Sequence, residues 1–207
     1  MLSELQKDLL SEILNTNLGV AASLLSEMVN QKVILSLPSL DLKKGNEIDL
    51  RPLTKESSDF HTSVLSTMRF GNDFSGNAYI VFPADKAKYL VEACMGDEDK
   101  GDLFSKLSEQ DLDVIKEISN IIFNAVIGEF GNLLDVKLEY SLPKIEMTVV
   151  DSMDGGILPE EMHFLSMFNS FYLSKSQVRG MIFIALSIGS ENMLISKLNE
   201  MLVDIND

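Results

Sequence analysis

The sequence predicts an α+β, two-layer fold in which two pseudo-symmetric repeats share one mostly antiparallel sheet, with a long helix from each repeat on one side. Three observations predict it. The second half rewrites the first at a spacing of about 105 residues, each half opens on a helical apolar period, and each then changes to strand-like runs punctuated by glycine and proline. The 207 residues are therefore expected to form one domain built of residues 1–100 and 101–207. Edge-to-edge joining of the two sheets would bury more apolar area than leaving the halves apart.

In the first half, Leu5, Leu9, Ile13, Leu24, Leu25 and Met28 space apolar side chains along residues 3–29, as an amphipathic helix requires. Residues 108–132 repeat the design. Ser108 is the candidate N-cap, Asp111 falls in an acidic first turn, and Leu112, Ile115, Ile118, Ile122 and Val126 form the stripe. Each helix is followed by a run that halts at proline, Lys32 to Pro38 and Val136 to Pro143, because proline has no N–H for a central ladder. Ser63–Phe70 and Gly76–Phe82 read as a hairpin across the turn formers Gly71 to Ser75, and Phe164–Leu173 with Gly180–Ile188 is its counterpart. A helix closes each half, Ala84–Met95 and Ser190–Val203. The stretches Asp41–Asp59 and Asp151–Glu161 lack a period, and Gly96 to Asp102 reads as the hinge between halves.

Composition narrows the function. Seventeen Lys and Arg against 32 Asp and Glu give a formal charge of −15, while 45% of residues are hydrophobic, which excludes a disordered chain. So acidic a surface repels phosphate backbones, and the densest basic spots are only Lys43 with Lys44 and Lys86 with Lys88, so nucleic acid is disfavoured as a partner. The lone Cys94 fits a reducing compartment and cannot form an intrachain disulfide or a thiolate zinc cluster. Asp8 and Glu12 fall where a secretion signal would need its apolar segment, and the longest uncharged stretches, Ile13–Ser26 and Met162–Ser174, are shorter than the roughly 18 residues of a membrane span. A cytoplasmic protein without membrane insertion is expected.

One polar pattern recurs in register. Asp8, Glu12, Asn15 and Pro38 in the first half match Asp113, Glu117, Asn120 and Pro143 in the second, with three residues from Asp to Glu, two from Glu to Asn and 22 from Asn to Pro in both. Composition alone predicts about 0.004 chance occurrences of this pattern in the chain. On a helix, positions i, i+4 and i+7 share a face, so each helix presents a carboxylate beside a carboxamide. A single such triplet is usually no more than a solvated face. Two copies, each with asparagine in a helix interior that does not favour it, point to a chemical use of the amide. A carboxamide is neutral, donates and accepts, and is a good orienter of water, which suits phosphoryl transfer, where alignment of the attacking oxygen outweighs removal of its proton.

This pattern resembles the signature of the CheC, CheX and FliY phosphatases of chemotaxis, over the whole chain, and two copies in one chain resemble CheC in particular. The resemblance implies a protein aspartyl-phosphate phosphatase acting on the response regulator CheY. It implies that Glu12 and Glu117 contact a lysine of the regulator and that Asn15 and Asn120 enter its active site to orient water. Asp8, Asp113, Pro38 and Pro143 complete the motif. No cofactor is implied for this chain, since the Mg2+ ion belongs to the regulator, and CheD is a further candidate partner. The first copy, Glu12-Ile-Leu-Asn-Thr-Asn-Leu-Gly, has Leu14 and Asn17 where the family usually has glycine, and Ile122 replaces a glycine in the second. This added bulk is expected to narrow the approach to the asparagines, and the smaller Ser119 favours the Asn120 site.

Other constellations are weak. His61 and His163 start matching strands, with no ligand at metal spacing from either, and Cys94 lies in an apolar helical run without a base. No phosphate-binding glycine loop and no EF-hand loop are present. Two readings remain, a phosphatase and an adaptor of the same fold that binds CheY or CheD without hydrolysis, the latter implied by the use of this fold in the flagellar motor for interaction alone.

Overall fold

A computed structural model of the chain describes residues 1–48, 62–95, 107–149, 162–173 and 176–206. The elements run α1 (Glu4–Val29), β1 (Val33–Lys44), a 3-10 turn (Gly45–Glu47), β2 (Thr62–Gly71), β3 (Gly76–Pro83), α2 (Ala84–Met95), α3 (Glu109–Leu134), β4 (Glu139–Tyr140), β5 (Lys144–Val149), β6 (His163–Leu173), β7 (Ser176–Leu186) and α4 (Ile188–Asn206).

The long helices α1 and α3 begin and end by the same chemistry. Ser3 and Ser108 are the N-caps, and each forms a reciprocal capping box with the residue three positions on, Gln6 or Asp111. At the other end Asn30 and Asp135 take the left-handed conformation, with φ of 49° and 53°, and their N–H groups return to the last turn. Both helices are 26 residues long, so duplication has kept length as well as caps. The capping residues also fasten each helix sideways. Gln6 Nε2 donates to Asn199 Oδ1 of α4 at 2.7 Å, and Lys88 Nζ of α2 donates to Asp111 Oδ2 at 2.9 Å.

All the strands pair antiparallel, in the order β1-β6-β7-β3-β2, with β4 and β5 in succession along the outer side of β2. The order reads the same from either end once the halves are exchanged. The expected edge-to-edge junction exists as β3 against β7, where Ile80 faces Ile182 and Ala78 faces Ile184. Gly76 lies in that junction because a Cβ there would collide with the backbone of Ala185. Beyond the junction the first strands are exchanged: β1 of the first half pairs with β6 of the second, and β5 of the second pairs with β2 of the first.

Alternation in the strands gives the sheet two apolar faces. Ala78, Ile80, Phe82, Ile182 and Ile184 join the main core with the buried sides of α1 and α3, while Val81, Met181, Phe183 and Ala185 face the other way, with Phe164 and Ile48. Helices α1 and α3 pack against each other on the first face.

Several element limits differ from expectation. Strand β1 does not halt at Pro38 but continues to Lys44, taking in Asp41 to Lys44, whose sequence has no strand period. It lies at the sheet edge, and the register slips there: Ser36 faces Ser170 and Ser39 faces Phe168, so Leu37 and Pro38 together oppose Asn169. This bulge accommodates a residue with no N–H. The slip also rephases burial, from Val33, Leu35 and Leu37 before it to Leu40 and Leu42 after it. Strand β7 starts at Ser176 rather than Gly180, and α4 starts at Ile188 rather than Ser190. Gly96 to Asp102, residues 49–59, residues 151–161 and His61 lie outside the described residues.

Asp111 is 6% exposed. Burial alone would raise its pKa, but the N–H of Ser108 and the Lys88 ammonium outweigh it and hold the carboxyl below its ordinary value of 3.8. A lowered folded-state pKa stabilises the protein above the ordinary carboxylate range, and this contribution is lost as pH falls through the lowered value. Asp111→Asn is therefore expected to cost about 1–3 kcal/mol at neutral pH, as loss of a charged hydrogen bond does. Chemical denaturation at pH 7 and at about pH 3 checks it: the gap from the parent protein should shrink in acid.

Candidate functional site

Helix geometry sorts the recurrent motif into an outer and an inner side. Asp8, Glu12 and Asn15 are exposed on α1, as are Asp113 and Glu117 on α3, with Asn120 half-exposed. The intervening positions turn inward: Leu10, Leu14, Leu18, Ile115, Ile122 and Ser119 are each 0% exposed. Successive residues of a helix lie about 100° apart, so the residue before each asparagine points into the core. The expected crowding by Leu14 and Ile122 is thereby corrected, and the small size of Ser119 opens nothing, because none of these three side chains shares the face of the asparagines. Asn17 is half-buried and turns Nδ2 back to the carbonyl of Ile13 at 3.4 Å.

Neither Glu12 nor Glu117 has a cation partner among the described residues, and the same holds for Asp8 and Asp113. Each glutamate precedes its asparagine by three positions, a rise of about 4.5 Å along the helix. Each helix therefore offers, toward solvent and one turn apart, an unpaired anion and an amide.

The prolines serve the strands. In the first half the Leu37 N–H, next to Pro38 in the bulge, donates to Asn15 Oδ1 at 3.1 Å. The motif asparagine is thus joined to the main chain 22 positions on in sequence, beside the motif proline, a contact that the motif spacing alone does not show. Its signal was the slip in apolar alternation from Leu37 to Leu40. In the second half, Phe70 faces Tyr140 and Thr67 faces Lys144, so three residues ending at Pro143 oppose two. The bulge is repeated and Pro143 is buried, but the Asn120 carboxamide makes no hydrogen bond among the described residues.

The other candidates stay apart. His163, at the start of β6, meets Glu191 with Nδ1 to Oε2 at 2.8 Å. The Cys94 thiol, half-buried in α2, is pushed up to about 11 by burial, so it is protonated at neutral pH. Among the described residues no cluster of His, Cys, Asp and Glu fits a metal ion, and no helix is long and apolar enough to cross a membrane.

No protein-family model matches the chain. It is 26% identical over 155 residues to the flagellar motor switch phosphatase FliY of Bacillus subtilis, covering 74% of this chain and 39% of that protein. With the CheY-P phosphatase CheC of the same organism it shares 23% identity over 168 residues, 80% of this chain and 75% of the other. The expected likeness to CheC in particular is therefore a distant one, and the chain spans well under half of the FliY length. In structure it matches Thermotoga maritima FliY with a TM-score of 0.75 at 17% identity, over 96% of this chain and 99% of that one. The FliM middle domain from H. pylori matches with a TM-score of 0.67 at 14% identity, over 95% and 99%. At these identities the structures share the fold.

The asymmetry between the asparagines has a measurable consequence for stability. Asn15→Ala leaves the Leu37 N–H without its acceptor and is expected to cost about 1–2 kcal/mol, whereas Asn120→Ala should fall within about 0.5 kcal/mol of the parent. Denaturant unfolding of the two variants decides this, and equal losses would contradict it.

Proposed function

We propose that this chain, which belongs to the CheC/CheX/FliY family, hydrolyses the aspartyl phosphate of a CheY-type response regulator. The observation that carries the reading is the outward presentation, in both halves, of an unpaired glutamate one turn from an asparagine, on helices whose other sides are sealed in the core.

The chemistry follows from those two groups. Docking pairs Glu12 or Glu117 with a lysine of the regulator, a charge-assisted contact that fixes the distance between helix and phosphoryl group. The asparagine one turn away then enters the regulator's pocket and holds a water in line with the phosphorus. Attack by that water breaks the bond between phosphorus and the aspartyl oxygen, releasing inorganic phosphate and the free carboxylate. The carboxamide takes no proton, and the barrier is lowered by orientation, which suits a loose transition state. The Mg2+ ion is assigned to the regulator, and CheD to the same chain as a further partner. The names of both curated relatives, a motor switch phosphatase and a CheY-P phosphatase, support the reading.

A second reading, docking without hydrolysis, is favoured by the engagement of Asn15 Oδ1 with the backbone, which gives that asparagine a structural use.

The lifetime of a phosphorylated CheY-type regulator separates the two. Each active asparagine is expected to contribute on the order of 10² in rate, so Asn15→Ala with Asn120→Ala should abolish acceleration. Persistence of activity in the double variant would reject hydrolysis by these amides. Glu117→Ala should weaken both binding and turnover at the second site.

A further inference from the structure

Asn15 and Asn120 hold equivalent places in the two halves, yet among the described residues the backbone holds Asn15 alone of the two. Both have a proline-bearing bulge on the strand that follows. In the first half Leu37 packs its side chain in the core, 5% exposed, and directs its N–H to Asn15 Oδ1 at 3.1 Å. Its counterpart Leu142 is 76% exposed, and neither its N–H nor the Asn120 carboxamide has a hydrogen-bond partner among the described residues. The difference lies in the strand. In the first half the bulge sets only Leu37 and Pro38 against one residue of β6, whereas in the second Ser141 to Pro143 stand against two residues of β2, with Ser141 tied to Arg69 by two hydrogen bonds.

We infer that the Leu37 main-chain N–H is a positioning group for the first site, fixing the Asn15 carboxamide with Nδ2 turned outward, while Asn120 works as an unfixed amide. The inference rests on the hydrolytic reading above. A fixed carboxamide has already given up its rotation before the partner arrives, so no ordering is left for the encounter. Its outward group is then a donor, which holds a water through one lone pair or a phosphoryl oxygen directly. Asn120 can present either end and orders only on docking. Two copies of one motif thereby become a preset site and an adaptable one.

Proline substitution deletes a backbone N–H without touching any side chain of the site. Each asparagine is therefore studied alone in the full chain, in the Asn120→Ala and Asn15→Ala backgrounds. Adding Leu37→Pro to Asn120→Ala should lower kcat about tenfold with KM within twofold, and adding Leu142→Pro to Asn15→Ala should lower neither. A kcat unchanged by Leu37→Pro, with the double asparagine variant inactive, would overturn the positioning role and leave the hydrolytic reading standing. Activity in the double asparagine variant would instead remove that reading. Amide hydrogen exchange of the unmodified backbone supplies an independent readout if Leu37→Pro fails to fold. Asn15→Ala should accelerate exchange at Leu37 at least tenfold, while Asn120→Ala leaves Leu142 unchanged, and equal protection of Leu37 with and without the Asn15 amide would refute the inference.

Discussion

Strand β1 pairs with β6 and β5 with β2, so each half of the chain completes the sheet of the other. The ladder hydrogen bonds of β1 are made with the second half, and those of β5 with the first. This exchange fixes the places of α1 and α3, because α1 packs on β1 and α3 on β2 and β5, while the helices pack on each other. Their buried stripes are committed to one core, and what is left outside is the face bearing Glu12, Asn15, Glu117 and Asn120. The orientation of the motif is thus a result of sheet topology more than of anything local to the helices.

The motif unites two uses of a carboxamide that are ordinarily kept apart. As an acceptor, Asn15 satisfies an N–H that a bulge leaves beside a proline. As a donor, the same group keeps its Nδ2 hydrogens, which are not engaged by the bulge and can serve a second partner. An amide can do both because its two ends are chemically distinct, whereas a carboxylate at that position would accept at both ends and bring charge to an anionic transition state. Asparagine in a helix interior, unfavourable by propensity, is therefore accounted for in the first half even before any reaction is considered.

Much of this was legible in the sequence. The duplication, the helix starts at Ser3 and Ser108, the hairpin pairing Phe70 with Gly76, and the shared face of Glu and Asn all follow from periodicity and capping chemistry, which are local. What escaped was non-local. Apolar alternation marks Val33 to Leu42 as a strand but does not say that β6, rather than β2, is its neighbour. Proline by itself signals a stop, although the phase slip from Leu37 to Leu40 marks a bulge through which an edge strand continues. Asp111 looked like an ordinary acidic first-turn residue, and only the approach of Lys88 from another helix makes it buried and ion-paired. The size of Leu14 and Ile122 suggests obstruction, but their direction, into the core, decides the matter.

The crossing of first strands also bears on how the chain is made. As it emerges during synthesis, β1 must wait for a partner roughly 120 to 140 residues downstream, a high contact order that predicts slow closure. Until β6 arrives, the nascent first half carries an unpaired edge and an uncovered apolar helix face, the state in which chains associate wrongly. A gene cut between the halves would yield two fragments, each deprived of one strand of its own sheet. Such fragments should find structure by finding each other, by the same reciprocal donation that joins the halves of the intact chain.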